Sequence, residues 1–343
     1  MYKFINDYSE GCHPSIMKAL CDTNMLQSVG YGEDEYCASA KEKIRKALKS
    51  DSIIEFLVSG TQTNVTVISH LLRPYEGILG VDTCHPANHE TGAVEARGHK
   101  VITVPNENGK LTAEKARKVL QAHLDDPCMI HTVRPGLVYI SNSTELGTVY
   151  TKKELTDLHN VCKEFGVPLF IDGARLGCAM VSKECDYEFS DLANLCDVFY
   201  IGGTKMGALF GEAVVFNDKK LAENFLYMKK QNGGLLAKGR LLGIQFDGLF
   251  TDNLFFNLAK HAVTEAQRLQ SAIEEAGLPL LVKSSTNQVF PILTFKQQEV
   301  IAKEFEFELW EPIDEEKSSV RFVTSWATDS KQVDRLIEVF KSL

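Results

Sequence analysis

From Ser52 onward the chain alternates short apolar runs with segments of helical period, and this alternation constrains the fold more than any other feature. The runs Ile53–Val58, Gly77–Val81, Lys100–Val104, Leu137–Ser141, Pro168–Asp172 and the stretch from Asp197 towards Gly202 read as buried strands, followed by Ala213–Phe216. Between them lie helices ending at Leu72 and spanning Thr112–Leu124 and Thr151–Phe165. In the second of these, Ala116, Val119, Leu120 and Leu124 share one face. Strands separated by helical crossovers pair in parallel, so the expectation is an α/β fold with a mainly parallel central sheet flanked by helices. Helical segments then run from Lys219 to Ala276, broken at Gly233-Gly234. Strands near Gln288–Leu293, Phe305–Trp310 and Val320–Thr324 and a closing helix, Lys331–Phe340, follow with the alternation gone. That order predicts a smaller α+β unit. Before Ser52 stand a polar loop, Asn6–Pro14, a short helix Ser15–Cys21 opened by Pro14, and a helix Tyr36–Lys49. The expected division is an N-terminal segment 1–50 reaching towards a neighbouring site, a large α/β domain 51–245 and a small α+β domain 246–343.

Composition narrows the function classes. A net charge of −9 argues against a broad nucleic-acid-binding face, though it leaves room for a local basic pocket. No stretch reaches the ~20 apolar residues that span a bilayer, and Met1–Tyr8 lacks the apolar core of a signal peptide. Nine scattered cysteines, an odd number without paired metal-ligand spacing, read as reduced thiols in a cytoplasm.

In open α/β sheets ligands bind outside the carboxyl ends of the strands, so residues just past each run carry the chemistry. Ser59-Gly-Thr-Gln-Thr-Asn64 opens a helix and offers unpaired N–H groups and a positive dipole end to an anion; ordinary capping explains the same residues. The segment is neither a Walker motif nor the dinucleotide fingerprint. Asp172 and Arg175 stand at the carboxyl end of one strand, as a ligand pair or as a turn-capping ion pair. Lys205 follows another among Gly202, Gly203 and Gly207, which allow close approach of backbone or ligand. A lysine so placed can form a Schiff base with a carbonyl, once desolvation or nearby positive charge lowers its pKa from about 10.4; most lysines are simply solvated. His85 and His89 stand four apart, but Pro86 argues against a shared helix face, and no further ligands complete a metal site.

Taken together, Gly60-Thr-Gln-Thr-Asn64, His85 with Glu90-Thr-Gly-Ala93, Ile171-Asp-Gly-Ala-Arg175 and Gly203-Thr-Lys205 occur at intervals that resemble the threonine aldolase and β-eliminating lyase family, over nearly the whole chain. The resemblance implies the aminotransferase type I fold and pyridoxal 5′-phosphate as cofactor. It implies that Lys205 carries the cofactor, that Asp172 pairs with the pyridine nitrogen, and that His85 stacks on the ring. Gly60 and Thr61, with help from Thr204, would bind the phosphate. Arg175 and Arg321 would grip the carboxylate of an amino acid substrate, with the Asn6 loop closing over it. Lys238, in competition with Arg240, would reach the phosphate of a neighbouring subunit, making a homodimer or homotetramer with shared sites.

The implied reaction is retro-aldol cleavage of a β-hydroxy-α-amino acid of the L-threonine, L-allo-threonine or phenylserine type to glycine and an aldehyde. One departure bears on it. The family's Asn-Thr-His-Asn-like segment is here Asn142-Ser-Thr-Glu-Leu-Gly147, without histidine, a form that resembles the phenylserine-type branch. The base on the β-hydroxyl is therefore open between His85, His89, Glu145 and a bound water. The alternatives are elimination or racemisation of another amino acid, and a binding protein of the same fold without turnover.

Overall fold

In the computed structural model, which describes residues 1–343, the alternating region forms one seven-stranded sheet. Its strands are β1 (Ile53–Leu57), β2 (Glu76–Val81), β3 (Val101–Val104), β4 (Arg134–Ser141), β5 (Leu169–Asp172), β6 (Val198–Gly202) and β7 (Glu212–Phe216). They lie in the order β1-β7-β6-β5-β4-β2-β3. Only β7 runs against its neighbours; the pairs among β2 to β6 are parallel. Every residue of β6 and β7 is buried, because helices cover both faces and no polar alternation is needed.

The helices between the strands begin where the sequence supplies caps. Ser59 accepts from the Gln62 N–H and opens Gly60–Leu71; Thr151 and Glu154 form a capping box for Lys152–Phe165. Helix Ala113–Asp125 buries Ala116 and Leu120 as expected, but Leu124 is exposed, one turn past the contact with the sheet. Pro86 does not break a helix: it occupies the first turn of His85–Asn88, where its missing N–H costs nothing. The His85 and His89 rings consequently come within 5.5 Å.

A second, antiparallel sheet lies in the C-terminal part: β8 (Gln288–Val289), β9 (Ile292–Thr294), β10 (Glu308–Pro312) and β11 (Lys317–Val323), with β11 pairing all three others. Its own apolar cluster includes Val289, Val320 and Phe322, packed against Leu336 and Phe340 of the last helix. The chain start joins this unit. Tyr2–Lys3 pairs in parallel with Phe305–Glu306, and Phe4 is fully buried in the same cluster. Helix Leu254–Glu275 ties the two cores together, with Phe255, Leu258 and Ala262 in the large one and Ala266, Leu269 and Ile273 in the small one. Burying each of the phenylalanine, leucine and isoleucine side chains contributes roughly 1.5–3 kcal/mol, so this helix holds the units in a fixed relation. The loop after Phe4 is thereby aimed from the small unit towards the large sheet. All nine cysteines are unpaired, and no helix is long and apolar enough to cross a membrane.

Candidate active site

The carboxyl ends of the parallel strands and the start of the reversed β7 meet at one edge of the sheet. A cavity of about 230 Å³ lies there, lined by Tyr8, Gly60, Thr61, His85, Glu145, Asp172, Tyr200, Thr204, Lys205 and Glu212 among others. Surface grooves of about 620 and 530 Å³ are larger, but neither contains any residue singled out from the sequence.

Asp172 ends β5 and is 4% exposed. Burial alone would push its carboxyl towards the neutral form. The opposing effects win: the charge of His85, the hydroxyls of Tyr139 and Tyr200, and the Ala174 N–H hold it below the usual carboxylate range. Tyr139 donates to Oδ2 and Tyr200 to Oδ1, each at 2.5 Å, while the Ala174 N–H donates to Oδ1 at 3.0 Å. Both phenols are pushed well up, by burial first and then by the carboxylate beside them, so they stay protonated donors. Gly173, the next residue, lies where a Cβ would come 1.7 Å from the Tyr200 carbonyl oxygen; only glycine lets the chain turn here against β6.

From Asp172 the polar contacts continue inward. Asn64, on helix Gly60–Leu71, donates through Nδ2 to Asp172 Oδ2 at 3.1 Å and to Glu90 Oε1 at 2.7 Å. Glu90 Oε1 also meets His85 Nδ1 at 2.7 Å. Burial would lower the His85 pKa, but the Glu90 hydrogen bond and the charges of Glu145, Asp172 and Glu90 raise it overall. His85 lines the cavity, whereas His89 is exposed and does not.

Across the cavity, Lys205 stands three residues past β6, partly buried, with Nζ 6.0 Å from the Tyr8 ring centroid. Desolvation and the Arg175 charge lower its pKa, against the pull of Asp7, Glu145 and Asp172. The flanking glycines serve the protein rather than a ligand. A Cβ on Gly202 would lie 2.4 Å from the Ala174 carbonyl oxygen, and one on Gly203 would lie 2.7 Å from that of Gly211.

Arg175 is 6% exposed and gives two of its donors to Asp7: Nε to Oδ2 at 2.7 Å and Nη2 to Oδ1 at 3.2 Å. Its Nη1 stands 4.0 Å from Glu145. Burial would push Asp7 up, but Arg175, Lys205 and an Asn287 amide hydrogen bond bring it down to about 2. Arg321 sits on β11 rather than on the cavity wall. It donates to Gln288 and Glu308 and lies 4.8 Å from the Trp310 ring centroid. Burial and the Arg175 charge lower its pKa, so the two guanidiniums are within electrostatic reach of each other.

The residues expected around a phosphate divide. Gly60 and Thr61 line the cavity at the start of their helix, where first-turn N–H groups lack intrahelical acceptors. Thr204 also lines it, but its hydroxyl donates to Glu212 Oε1 at 2.8 Å, so that hydrogen is already committed. Glu212 accepts the Gly203 N–H as well, and burial drives its pKa up to about 8. Asn6 does not enter: its Oδ1 caps the loop by accepting from Tyr8 N and Ser9 Oγ. Lys238 is exposed and away from this cavity, while Arg240 is engaged by Asn24 O, Leu26 O and Ser28 Oγ.

Of the cavity's residues, Tyr8, Tyr200 and Glu212 were not singled out from the sequence, nor were Asp7 and Tyr139 behind them; Asn64 and Glu90 stood there only inside motifs, without a role. Tyrosines inside apolar strands read as core, and Asp7 lies 168 residues from the arginine it meets. Polar residues at the cavity-facing ends of strands were the available signal, and it would have found Glu212 at the start of β7 but not Tyr200 in the middle of β6.

Residues 6–295 match the family model described as beta-eliminating lyase. The chain is 33% identical over 339 residues to a low-specificity L-threonine aldolase of Pseudomonas sp. (strain NCIMB 10558), covering 97% of this chain and 95% of that protein. Among solved structures it is similar to a threonine aldolase of Leishmania major, at 43% identity and a TM-score of 0.96, covering 100% of this chain and 99% of the other. An aspartate aminotransferase of Thermus thermophilus, at 12% identity, superposes with a TM-score of 0.73 over 100% of this chain and 91% of its own, which shows the aminotransferase-type fold alone.

Proposed function

The chain belongs to the beta-eliminating lyase family, and from that premise we propose that it is a pyridoxal phosphate-dependent carbon–carbon lyase. Its substrates are β-hydroxy-α-amino acids of the L-threonine, L-allo-threonine or phenylserine type, cleaved to glycine and an aldehyde. The observation that carries this reading is the cavity with three unlike walls. Asp172 is held ionised on one side, Lys205 offers an amine with a lowered pKa on another, and the Gly60 helix start closes a third.

These donors fit the cofactor. Gly60 and Thr61 N–H groups suit its phosphate, Lys205 suits its aldehyde, and Asp172 suits its pyridine nitrogen. Bound there, pyridoxal phosphate supplies an electron sink for carbanion character at the substrate Cα. The chain's own work is positional. Asp172 would hold a proton on the pyridine nitrogen, because four donors keep the carboxylate charged. Asp7 fixes the Arg175 guanidinium through Nε and Nη2, leaving Nη1 for a substrate carboxylate. Arg321 adds positive charge at that end, and Tyr8 lines the cavity from the N-terminal loop. Orienting the carboxylate selects which Cα bond is broken, and such positioning lowers a barrier by several kcal/mol. For the β-hydroxyl proton, His85 and Glu145 are the acceptors on the wall.

Product analysis tests the reading directly. Purified protein with pyridoxal phosphate should convert L-threonine or L-phenylserine to glycine and aldehyde. Ammonia and a keto acid instead would make it an eliminating enzyme. Borohydride should fix the cofactor on Lys205, and an adduct on another lysine would remove Lys205 from its role.

The functional unit we propose is a homodimer or larger, with Lys238 of one copy serving the phosphate of the next. Its support is that Lys238 is exposed and outside its own cavity, while its competitor Arg240 is already engaged. Mixing Lys205→Ala with Lys238→Ala chains should restore activity above either parent; hybrids without recovery would sink the shared pocket. The unpaired thiols support a reducing, cytoplasmic setting.

A further inference from the structure

Glu90 does not line the cavity, yet it is a carboxylate 5% exposed that meets the His85 and Asn64 side chains behind it. Its Oε1 takes both the Asn64 amide and His85 Nδ1, each at 2.7 Å, and its Oε2 has no partner. Asn64 spends its second amide hydrogen on Asp172 at 3.1 Å. A buried carboxylate without a salt-bridged lysine or arginine is costly, and two of them bridged by one amide are costlier still. The arrangement makes sense when the imidazole is the third member and supplies a proton to the shared oxygen.

We propose that Glu90 is a positioning residue. Its carboxylate keeps a proton of His85 on Nδ1, leaves Nε2 as the working nitrogen on the cavity side, and ties the ring through Asn64 to Asp172. Neutral His85 then has one tautomer, with Nδ1–H donated to Glu90 and the Nε2 lone pair free to accept a proton. This rests on the functional reading above only in assigning that proton to the substrate; the tautomer itself does not depend on it. The groups facing His85 are Glu90, Glu145 and Asp172, whose charges all favour the protonated ring, and the His89 ring 5.5 Å away. Glu90 differs from the others in making a hydrogen bond as well as a field.

The test is ¹⁵N NMR of histidine-labelled protein, without cofactor and with pyridoxal phosphate added, over a pH series. In wild type the His85 signals, assigned by their loss in His85→Asn, should show Nδ1 protonated above the ring's titration. A proton on Nε2 there overturns the proposal whatever the substrate proves to be. In Glu90→Gln the amide oxygen can still accept from Nδ1 but carries no charge, so the His85 titration and the acid limb of kcat/KM should both move to lower pH. Glu90→Ala removes the acceptor too, and kcat should fall on the order of 10–100-fold with KM little changed, the scale seen when the partner of a metal-bound imidazole is lost. A Glu90→Gln protein that binds cofactor normally with both titrations unmoved would leave Glu90 a packing residue. If that variant does not fold, the wild-type tautomer still decides. Failure of threonine cleavage with an Nδ1–H ring intact would count against the substrate assignment alone.

Discussion

Asp172 and Glu212 line the same cavity, both nearly sealed from water, and end up in opposite states. Burial pushes each towards the neutral acid, yet Asp172 is held below its usual range while Glu212 rises to about 8. The difference lies in what surrounds them. Asp172 collects two tyrosine hydroxyls, an amide and a backbone N–H, and the charge His85 carries when protonated acts in the same direction. Glu212 has one threonine hydroxyl, one backbone N–H and the Lys205 charge in its favour, too little to offset its burial, and the negative charge of Asp172 works against its own ionisation. Depth of burial therefore does not decide charge; the number and sign of the groups facing a carboxyl do. A third case agrees. Glu55 on β1 is pushed up by burial but lies below its usual range because Lys229 and Lys41 meet it at 2.7 and 2.9 Å.

The largest effect expected from breaking this contrast is at Asp172. Asp172→Asn keeps shape but removes the charge that stabilises a protonated pyridine. Turnover should fall on the order of 10²–10³-fold at saturating cofactor, the scale of losing one preorganised electrostatic partner. A near wild-type kcat in a cofactor-saturated variant would take Asp172 out of the chemistry.

Glu212→Gln probes the other carboxyl through stability. The folded pKa of Glu212, about 8, lies above its ordinary 4.5, so the unfolded chain ionises first as pH rises. Wild type accordingly loses stability between about pH 4.5 and 8 and no more above that window. Each unit of displacement corresponds to about 1.4 kcal/mol. The neutral variant lacks this loss, so its Tm relative to wild type should climb across the window. A difference that stays flat with pH would mean that Glu212 is not held neutral.

The smallest effect belongs to Glu55. Lys41→Met leaves Lys229 in place, and Glu55 should stay ionised at a cost of about 1 kcal/mol in chemical denaturation, near the upper end for exposed pairs. Removing Lys229 should cost more, because its side chain is the more buried of the two, 6% exposed against 19%. Equal losses would show that the two lysines share the charge evenly.

The strand–helix alternation, the positions of Asp172, Lys205 and Gly60 past strand ends, and the change to a second kind of sheet after Ala276 were legible in the chain itself. Each depends on local pattern: apolar runs, helical spacing and the residues that cap or turn. Such signals act over a few residues, so reading them needs no knowledge of what lies opposite. Local reading fails where two distant segments meet. Asp7 reaches Arg175 only because Tyr2–Lys3 adds to a strand near residue 305 and swings the next loop over the large sheet. Asn6 was the residue expected over the substrate, but the turn spends its side chain on the loop itself, and its neighbour Asp7 meets Arg175 instead.

The sequence by itself placed Gly60, Thr61, His85, Asp172, Thr204 and Lys205 at the carboxyl edge of the sheet, because strand polarity and crossover connection leave little choice of edge. Their protonation and their donors were decided by tertiary structure alone. Tyr139, Tyr200 and Asn64 come from two strands and a helix to converge on one carboxylate, and that convergence keeps Asp172 charged. The reversed direction of β7 brings Glu212 to the same edge with too few donors to ionise. The free energy of a buried charge depends on groups within a few ångströms in space, and no pattern along the chain encodes those distances.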